Sequence, residues 1–183
     1  MLNYIALGMV LDKPLTGYDI KKEIEAGVGN FYTASYGSLY PILKKLTDNG
    51  YVTMFQQQQG GRTKKYYQAT APGREAFLTW LAAPLDPSLR EDSHLASIYF
   101  FDELPEDIRQ RQLSEYELYY QQKLRKLLAM EKRLSQVALA DEYHEMSTLY
   151  LGIQRIQDIV RWLKFVRERK PLAAFVRNDT SNT

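Results

Sequence analysis

Five basic side chains cluster in one part of the sequence, where they could bind phosphate groups. They are Lys44, Lys45, Arg62, Lys64 and Lys65. One acid, Asp48, lies among them, and the charge elsewhere is close to balanced, with +3 over residues 1–81 and −1 over residues 82–183. A local basic patch of this kind is the electrostatic footprint of a surface that binds a polyanion. The distribution does not fit a wholly basic coat protein.

The first two basic residues lie on a predicted amphipathic helix that ends at Gly50, a residue typical of the position just past a last turn. Its apolar residues recur at i, i+3, i+4 and i+7, and they are Leu39, Ile42, Leu43 and Leu46. The opposite face carries small, aromatic and basic groups, including Gly37, Tyr40 and Lys44. Such a face can lie close against a polyanion.

The start of this helix stays open between Ser35 and Ser38. With Ser35 as the N-cap, Pro41 would lie inside the helix and would leave the carbonyl of Gly37 without its hydrogen bond. With Ser38 as the N-cap, Pro41 lies in the first turn, where its missing N–H removes no helical hydrogen bond.

A β-hairpin is predicted after the helix. Residues 51–57 and 62–69 are rich in β-forming side chains, and residues 58–61 between them have turn composition. Two short strands around a Gly-Gly turn are typical of a hairpin. The second strand begins with Arg62, Thr63, Lys64 and Lys65. A helix followed by a basic hairpin is the outline of a winged helix, a relative of the helix-turn-helix. The alternative is a solvated helix beside an exposed hairpin whose lysines protect its edge from aggregation.

Two helices are predicted before this segment. Residues 1–11 are mostly apolar and indicate a buried first helix. Thr16 is a suitable N-cap for a second helix, with Ile20 and Ile24 facing inward. Tyr18, in its first turn, could contact a phosphate through its hydroxyl or simply pack beside its neighbours.

The chain is predicted to divide at the proline-containing residues 82–89, after a helix N-capped by Thr70. We expect domains at residues 1–83 and 90–171, followed by a tail at 172–183. In the second domain, a short helix at 91–101 precedes a long helix that begins near residue 104 and breaks or bends at 138–142.

A last helix, over about residues 143–169, carries an apolar seam with spacings of four, three, four and three. Its members are Leu149, Ile153, Ile156, Val160 and Leu163. This spacing is typical of a coiled-coil contact. Two chains could bury the seam together in a dimer, which we expect, or the seam could pack within one chain.

Several classes of protein are not supported by the composition. The 183 residues include no cysteine, so disulfides and thiolate metal sites are excluded. We see no metal or cofactor motif and no catalytic motif, and the histidines, His94 and His144, lie far apart. No signal peptide or membrane-spanning run is visible, so we expect a cytoplasmic protein that is not an enzyme.

Taken together, four segments resemble the PadR family of bacterial transcriptional regulators. They are LGMVLDKPLTGYDI at 7–20, GSLYPILKKL at 37–46, GGRTKKYY at 60–67 and T-x-x-G-R at 70–74. Residues 91–170 resemble the helical C-terminal domain of a subfamily similar to AphA-type virulence activators. The fold this implies is mainly α (α+β), with an N-terminal winged helix-turn-helix domain and an all-helical C-terminal dimerisation domain.

The resemblance implies a homodimer that binds a palindromic operator in double-stranded DNA, usually as a repressor. Some members of the family release the DNA when they bind a small aromatic molecule. The DNA-contacting residues expected here are Tyr18, Ser35, Tyr36, Ser38, Tyr40, Lys44, Lys45, Arg62, Thr63, Lys64 and Lys65. The glutamine run at 56–59 departs from the family pattern. His94 and Tyr120 are candidates for an effector site, although the aromatic richness could equally be core. The alternative function is a protein-interaction adaptor, or an activator without an effector.

Overall fold

A computed structural model describes residues 1–30, 36–86, 89, 91–134 and 143–177, with the backbone alone at residues 30, 36, 91, 92 and 177. The described chain divides into two compact units, one spanning Met1–Glu106 and the other beginning at Asp107. Three sequence predictions lie outside the described residues: the role of Ser35, the helix break at 138–142, and the polar end of the tail at 178–183.

The first unit contains five α-helices, three short 3-10 turns and a three-stranded sheet among its described residues. Its elements in chain order are α1 (Leu2–Met9), β1 (Leu15–Thr16), α2 (Gly17–Ala26), a 3-10 turn (Val28–Asn30), a second 3-10 turn (Tyr36–Ser38), α3 (Leu39–Asp48), β2 (Val52–Gln59), β3 (Arg62–Ala69), α4 (Ala71–Ala82), α5 (Glu91–Ile98) and a third 3-10 turn (Phe101–Glu103). This order confirms the predicted winged helix fold class. The predicted N-caps are also confirmed, because the hydroxyls of Thr16 and Thr70 accept hydrogen bonds from the backbone of Asp19 and Gly73.

The hairpin is longer than predicted. Its strands pair from Val52 opposite Ala69 to Gln59 opposite Arg62, so the turn consists of Gly60 and Gly61 alone. Both glycines have positive φ, 58° and 76°, which allows a two-residue turn that continues the twist of the strands. The predicted Gly-Gly turn is therefore confirmed, and the strands extend through residues 58 and 59, whose composition alone suggested a longer turn.

A strand that the sequence did not predict completes the sheet, whose order in the described residues is β1-β3-β2. Leu15 pairs with Tyr67 and Thr16 pairs with Tyr66. Two residues are too few to show an alternating pattern, so this strand leaves no local signal. Its pairing ties the beginning of α2 to the wing, the β2–β3 hairpin.

The start of α3, which the sequence left open, lies at Leu39 with Ser38 as the N-cap. Pro41 is then the third helical residue, in the first turn, where no intrahelical hydrogen bond is lost. Leu39, Leu43 and Leu46 are buried, as the spacing predicts. Ser38 makes no side-chain capping bond, and a 3-10 turn leads into the helix instead.

The core of the first unit lies between its helices. Ile5 of α1, Ile20 of α2, Leu43 of α3 and Phe77 of α4 are all completely buried. Burial of a side chain of this size contributes about 1.5–3 kcal/mol to folding. The apolar periodicity of each helix therefore decides which of its faces is turned away from solvent.

Residues after α4 also pack into the first unit, although the sequence analysis assigned residues from 90 onward to the C-terminal domain. The ring of Phe100 meets Phe77 edge-on, with centroids 5.4 Å apart. Arg74 forms ion pairs with Asp12 at 2.9 Å and Glu103 at 3.7 Å. Aromatic packing and ion pairing therefore join the residues that follow α5 to α4. The boundary between the compact units falls at Glu106.

The second unit contains α6 (Glu106–Leu134), α7 (Tyr143–Arg167) and α8 (Leu172–Arg177). Hydrogen bonds show that α6 and α7 are antiparallel, because Gln110 Nε2 donates to the carbonyl of Arg167 and Tyr150 donates to Glu131. Arg167 also bonds to Glu117 at 2.9 Å. None of the described helices is both long enough and apolar enough to cross a membrane.

Helix α8 lies within residues 172–183, the segment predicted to be a tail. Phe175 of α8 packs on Phe165 of α7 at 5.7 Å, and the guanidinium of Arg161 lies 4.7 Å from the centre of the Phe175 ring. These contacts hold the short helix against α7. It was not predicted, because six residues show too little of a helical repeat.

Candidate nucleic-acid interface

Helix α3 presents its predicted polar face to solvent. Ser38, Tyr40, Lys44 and Lys45 are all exposed, and Tyr40 retains 60% of its accessible surface. Lys44 Nζ lies 2.6 Å from a carboxylate oxygen of Asp48, one turn further along the helix. Exposed ion pairs of this kind contribute only about 0–1 kcal/mol, so Lys44 can exchange Asp48 for a phosphate at little cost. The side chain of Tyr36 is not among those described.

The first four residues of β3, Arg62, Thr63, Lys64 and Lys65, are also exposed. The glutamine run on the opposite strand holds part of this surface in place. Gln58 donates to the Thr63 hydroxyl at 2.9 Å, and Lys64 donates to the side-chain oxygen of Gln59 at 2.7 Å. Neutral glutamines orient the wing without reducing its positive charge.

A hollow of about 590 Å³ brings together residues from four elements, β1, α2, α3 and β3. It lies where the beginning of α2, the first turn of α3 and strand β3 meet. Its lining residues are Thr16, Gly17, Tyr18, Asp19, Tyr40, Lys64, Lys65 and Tyr67. Of the predicted DNA-contacting residues, the structure thus groups Tyr18, Tyr40, Lys64 and Lys65 on one surface.

The beginning of α2 is locked by reciprocal hydrogen bonds. Thr16 Oγ1 accepts from the backbone N–H of Asp19 at 3.2 Å and donates to the carboxylate of Asp19 at 2.7 Å. An acidic side chain in the first turn also complements the helix dipole. The bonds orient the first turn of α2, and with it the exposed side chain of Tyr18.

Tyr67 was missed as part of this surface. Burial raises its pKa, and the nearby hydroxyl of Tyr40 raises that pKa further. The phenol therefore stays protonated at neutral pH and can donate a hydrogen bond. Its position beside α2 depends on the pairing with Leu15, and the sequence carried no local signal for that pairing.

The residues named for other roles lie in buried surroundings. His94 is 3% exposed and its Nε2 lies 2.6 Å from the backbone oxygen of Asp86. Tyr120, in the second unit, is 5% exposed and its hydroxyl lies 3.2 Å from that of Tyr116. Both have protein partners, and an effector role for either stays a prediction. No group of His, Cys, Asp or Glu in the described residues could hold a metal ion.

The seam on α7 packs largely within a single chain. Ile153, Ile156 and Leu163 are buried, and Leu149 and Val160 are half-buried. This matches the second of the two alternatives left open by the spacing. The apolar side chains that α6 and α7 expose are different ones, and they include Leu118, Leu128, Met130, Tyr143, Tyr150 and Leu151.

Two protein-family models match the chain. Residues 6–78 match the transcriptional regulator PadR-like family, and residues 92–169 match the virulence activator alpha C-terminal family. The chain is also similar to the negative transcriptional regulator PadR of Bacillus subtilis, with 29% identity over 181 residues that cover 91% of this chain and 95% of the relative.

Among solved structures, the chain is similar to B. subtilis PadR in complex with operator DNA, with 26% identity, coverage of 92% of this chain and 98% of that one, and a TM-score of 0.45. It is also similar to B. subtilis PadR in complex with p-coumaric acid, with 25% identity, coverage of 92% and 97%, and a TM-score of 0.42.

Proposed function

We propose that this chain, which belongs to the PadR-like family of transcriptional regulators, is a homodimeric repressor that binds a palindromic operator and is released by a small aromatic effector. Family membership places it among DNA-binding regulators and not among enzymes, which confirms that sequence prediction. The observation that carries the proposal is the hollow in which Tyr18, Tyr40, Lys64 and Lys65 converge from α2, α3 and β3.

In the proposed complex, α3 enters the major groove. Ser38 and Tyr40, with Ser35 and Tyr36 just before them, approach base edges or the backbone. Lysine side chains at the exposed face, Lys44 and Lys45, neutralise phosphates. Contacts to bases specify the sequence, whereas contacts to phosphates set the register of the protein on the duplex.

The wing extends the same surface to the neighbouring backbone or minor groove. Arg62 to Lys65 form the exposed end of β3, and arginine is favoured where the minor groove is narrow. The hollow between α2, α3 and β3 is lined by Tyr18 and Tyr67, whose hydroxyls can donate hydrogen bonds, and by the lysines Lys64 and Lys65. This combination suits a backbone phosphate, which accepts charge-assisted hydrogen bonds.

The second unit, within the helical region at 90–171, is proposed to hold two chains together. The exposed apolar side chains of α6 and α7 support this role, since a monomer gains nothing by leaving them in water. The half-buried seam residues Leu149 and Val160 can join that contact, while Ile153, Ile156 and Leu163 support it from within the chain. Two recognition helices about 34 Å apart would then match successive turns of a palindromic operator.

An effector would act by favouring one dimer geometry. A ligand shifts a conformational equilibrium only through different affinities for the two states. The B. subtilis relative has been crystallised with p-coumaric acid, a phenolic carboxylic acid, so this class of molecule is the first to test.

The test is a salt titration of affinity for the DNA upstream of the protein's own coding region. Binding should weaken with a log–log slope of about −0.9 for each neutralised phosphate, and Lys64→Ala and Lys65→Ala should each reduce the slope by about that amount. Lys126→Ala, an exposed lysine of α6, is the matched control and should leave the slope unchanged.

If the slopes of both wing variants equal that of the parent, these lysines do not contact DNA phosphates. A parent protein that binds no duplex even at low salt would overturn the proposal and favour a protein-interaction adaptor.

A further inference from the structure

The first residue of α2 is a glycine that lies directly under an exposed aromatic ring of α3. A Cβ atom built on Gly17 would lie 2.7 Å from Cε1 of Tyr40, 3.2 Å from its Cζ and 3.3 Å from its hydroxyl oxygen. Non-bonded carbon atoms settle at about 3.5–4.0 Å. The ring of Tyr40 therefore occupies the space that any other side chain at position 17 would need.

The backbone at Gly17 does not itself require glycine. Gly17 is not among the described glycines with positive φ, which are Gly50, Gly60 and Gly61. In a helix, glycine is less favourable than every residue except proline. The missing Cβ therefore serves the contact with Tyr40 and not the conformation of α2.

Tyr40 depends on this contact for its orientation. With 60% of its surface exposed, the side chain is not fixed by burial in the core. The Gly17 backbone lies beside the hydroxyl end of the ring, and Tyr40 and Tyr67 line the same hollow.

We infer that Gly17 is a positioning residue for operator recognition, because its bare backbone sets the direction in which Tyr40 projects from α3. The inference rests on the proposed function and deepens it by identifying a specificity determinant that does not itself reach the DNA. A methyl group at position 17 would push the ring aside at its free, exposed end, so the recognition surface would change while the core would not.

The experiment is a double-mutant cycle on Gly17→Ala and Tyr40→Ala. Affinity is measured for the duplex from upstream of the protein's own coding region and for a scrambled duplex of the same composition. Low salt is used, so that phosphate contacts keep binding measurable in every variant. Thermal unfolding is followed in parallel. The control is Gly152→Ala in α7, where a Cβ would meet no described atom within 4 Å outside its own helix backbone.

Gly17→Ala is expected to weaken upstream-duplex binding about three- to tenfold, the loss that one misplaced hydrogen bond produces. Binding to the scrambled duplex should stay at the parent's value, and the melting temperature should not fall, because alanine is more favourable in a helix than glycine. In the Tyr40→Ala background, Gly17→Ala should cause no further loss, because the ring it displaces is gone. Gly152→Ala should bind like the parent.

Equal losses in the two backgrounds would overturn the inference, since Gly17 would then act independently of Tyr40. A melting temperature that falls together with affinity would also overturn it, because the role would be structural. These outcomes are distinguishable from failure of the proposed function, in which the parent itself would not prefer the upstream duplex.

Discussion

The helical core of the first unit and its wing are built in opposite ways. Ile5, Ile20, Leu43 and Phe77 are completely buried between helices. In β2, by contrast, only the first of its described residues, Val52, is buried and the rest are exposed. The core is held by side-chain packing, whereas the wing is held by backbone pairing. The core therefore decides where the proposed DNA-facing surface lies, and the wing supplies charge with few packing constraints.

The glycines show the same contrast. A Cβ on Gly73 in α4 would lie 2.0 Å from the carbonyl oxygen of Tyr51, so helix and backbone touch there. A Cβ on Gly60 or Gly61 would meet no described atom within 4 Å, but both residues have positive φ. In the core glycine provides space, and in the wing it provides backbone conformation.

The largest loss of stability is expected from Phe77→Ala, which tests whether the helical core depends on side-chain packing. The ring contacts Trp80 and Phe100, and its loss would leave a cavity in the core. The free energy of unfolding should fall by about 3–5 kcal/mol. Urea denaturation measures the change, and a loss below about 1 kcal/mol would show that this core collapses around the cavity with little penalty.

A smaller effect is expected from Gly60→Ala at the wing turn. Holding an alanine at positive φ costs about 1–2 kcal/mol, although no atom is in the way. Gly60→Asn is the matched control, since asparagine adopts this conformation readily in such turns and should restore most of the stability. Equal destabilisation by alanine and asparagine would argue against a purely conformational cause. Urea denaturation again provides the measurement.

The smallest effect on stability is expected from Lys65→Ala. The side chain is exposed on the wing, so the free energy of unfolding should change by less than about 0.5 kcal/mol. The same variant should still weaken DNA binding, as argued above. A clear loss of stability would contradict the contrast between core and wing, because it would show that the charged side chains of the wing also stabilise the fold.

Much of the fold was predictable because its signals are local. Thr16 and Thr70 cap helices through a hydroxyl and an N–H three residues apart, and the apolar spacing of α3 is visible within two turns. The exposed basic residues were predictable for the same reason, since long charged side chains rarely go inside.

Other features had no local signal. Strand β1 exists only because Leu15 meets Tyr67 from a distant part of the chain. The spacing along α7 was correct as an apolar stripe, but whether Ile153 and Leu163 face a partner or their own chain depends on the placement of α6. A periodic pattern shows that a face is apolar and does not show what covers it.

By itself, the sequence determined most of the helices, the caps at Thr16 and Thr70, the hairpin, the basic surface and the resemblance to the PadR-like family. Only the tertiary structure decided that Gly17, Tyr40 and Lys64 meet at one hollow, and that the seam of α7 is largely buried within the chain. The physical reason is the distance along the sequence between the residues that interact. Caps, turns and periodicity depend on neighbours within a few residues, whereas a binding surface depends on which distant elements the core brings side by side.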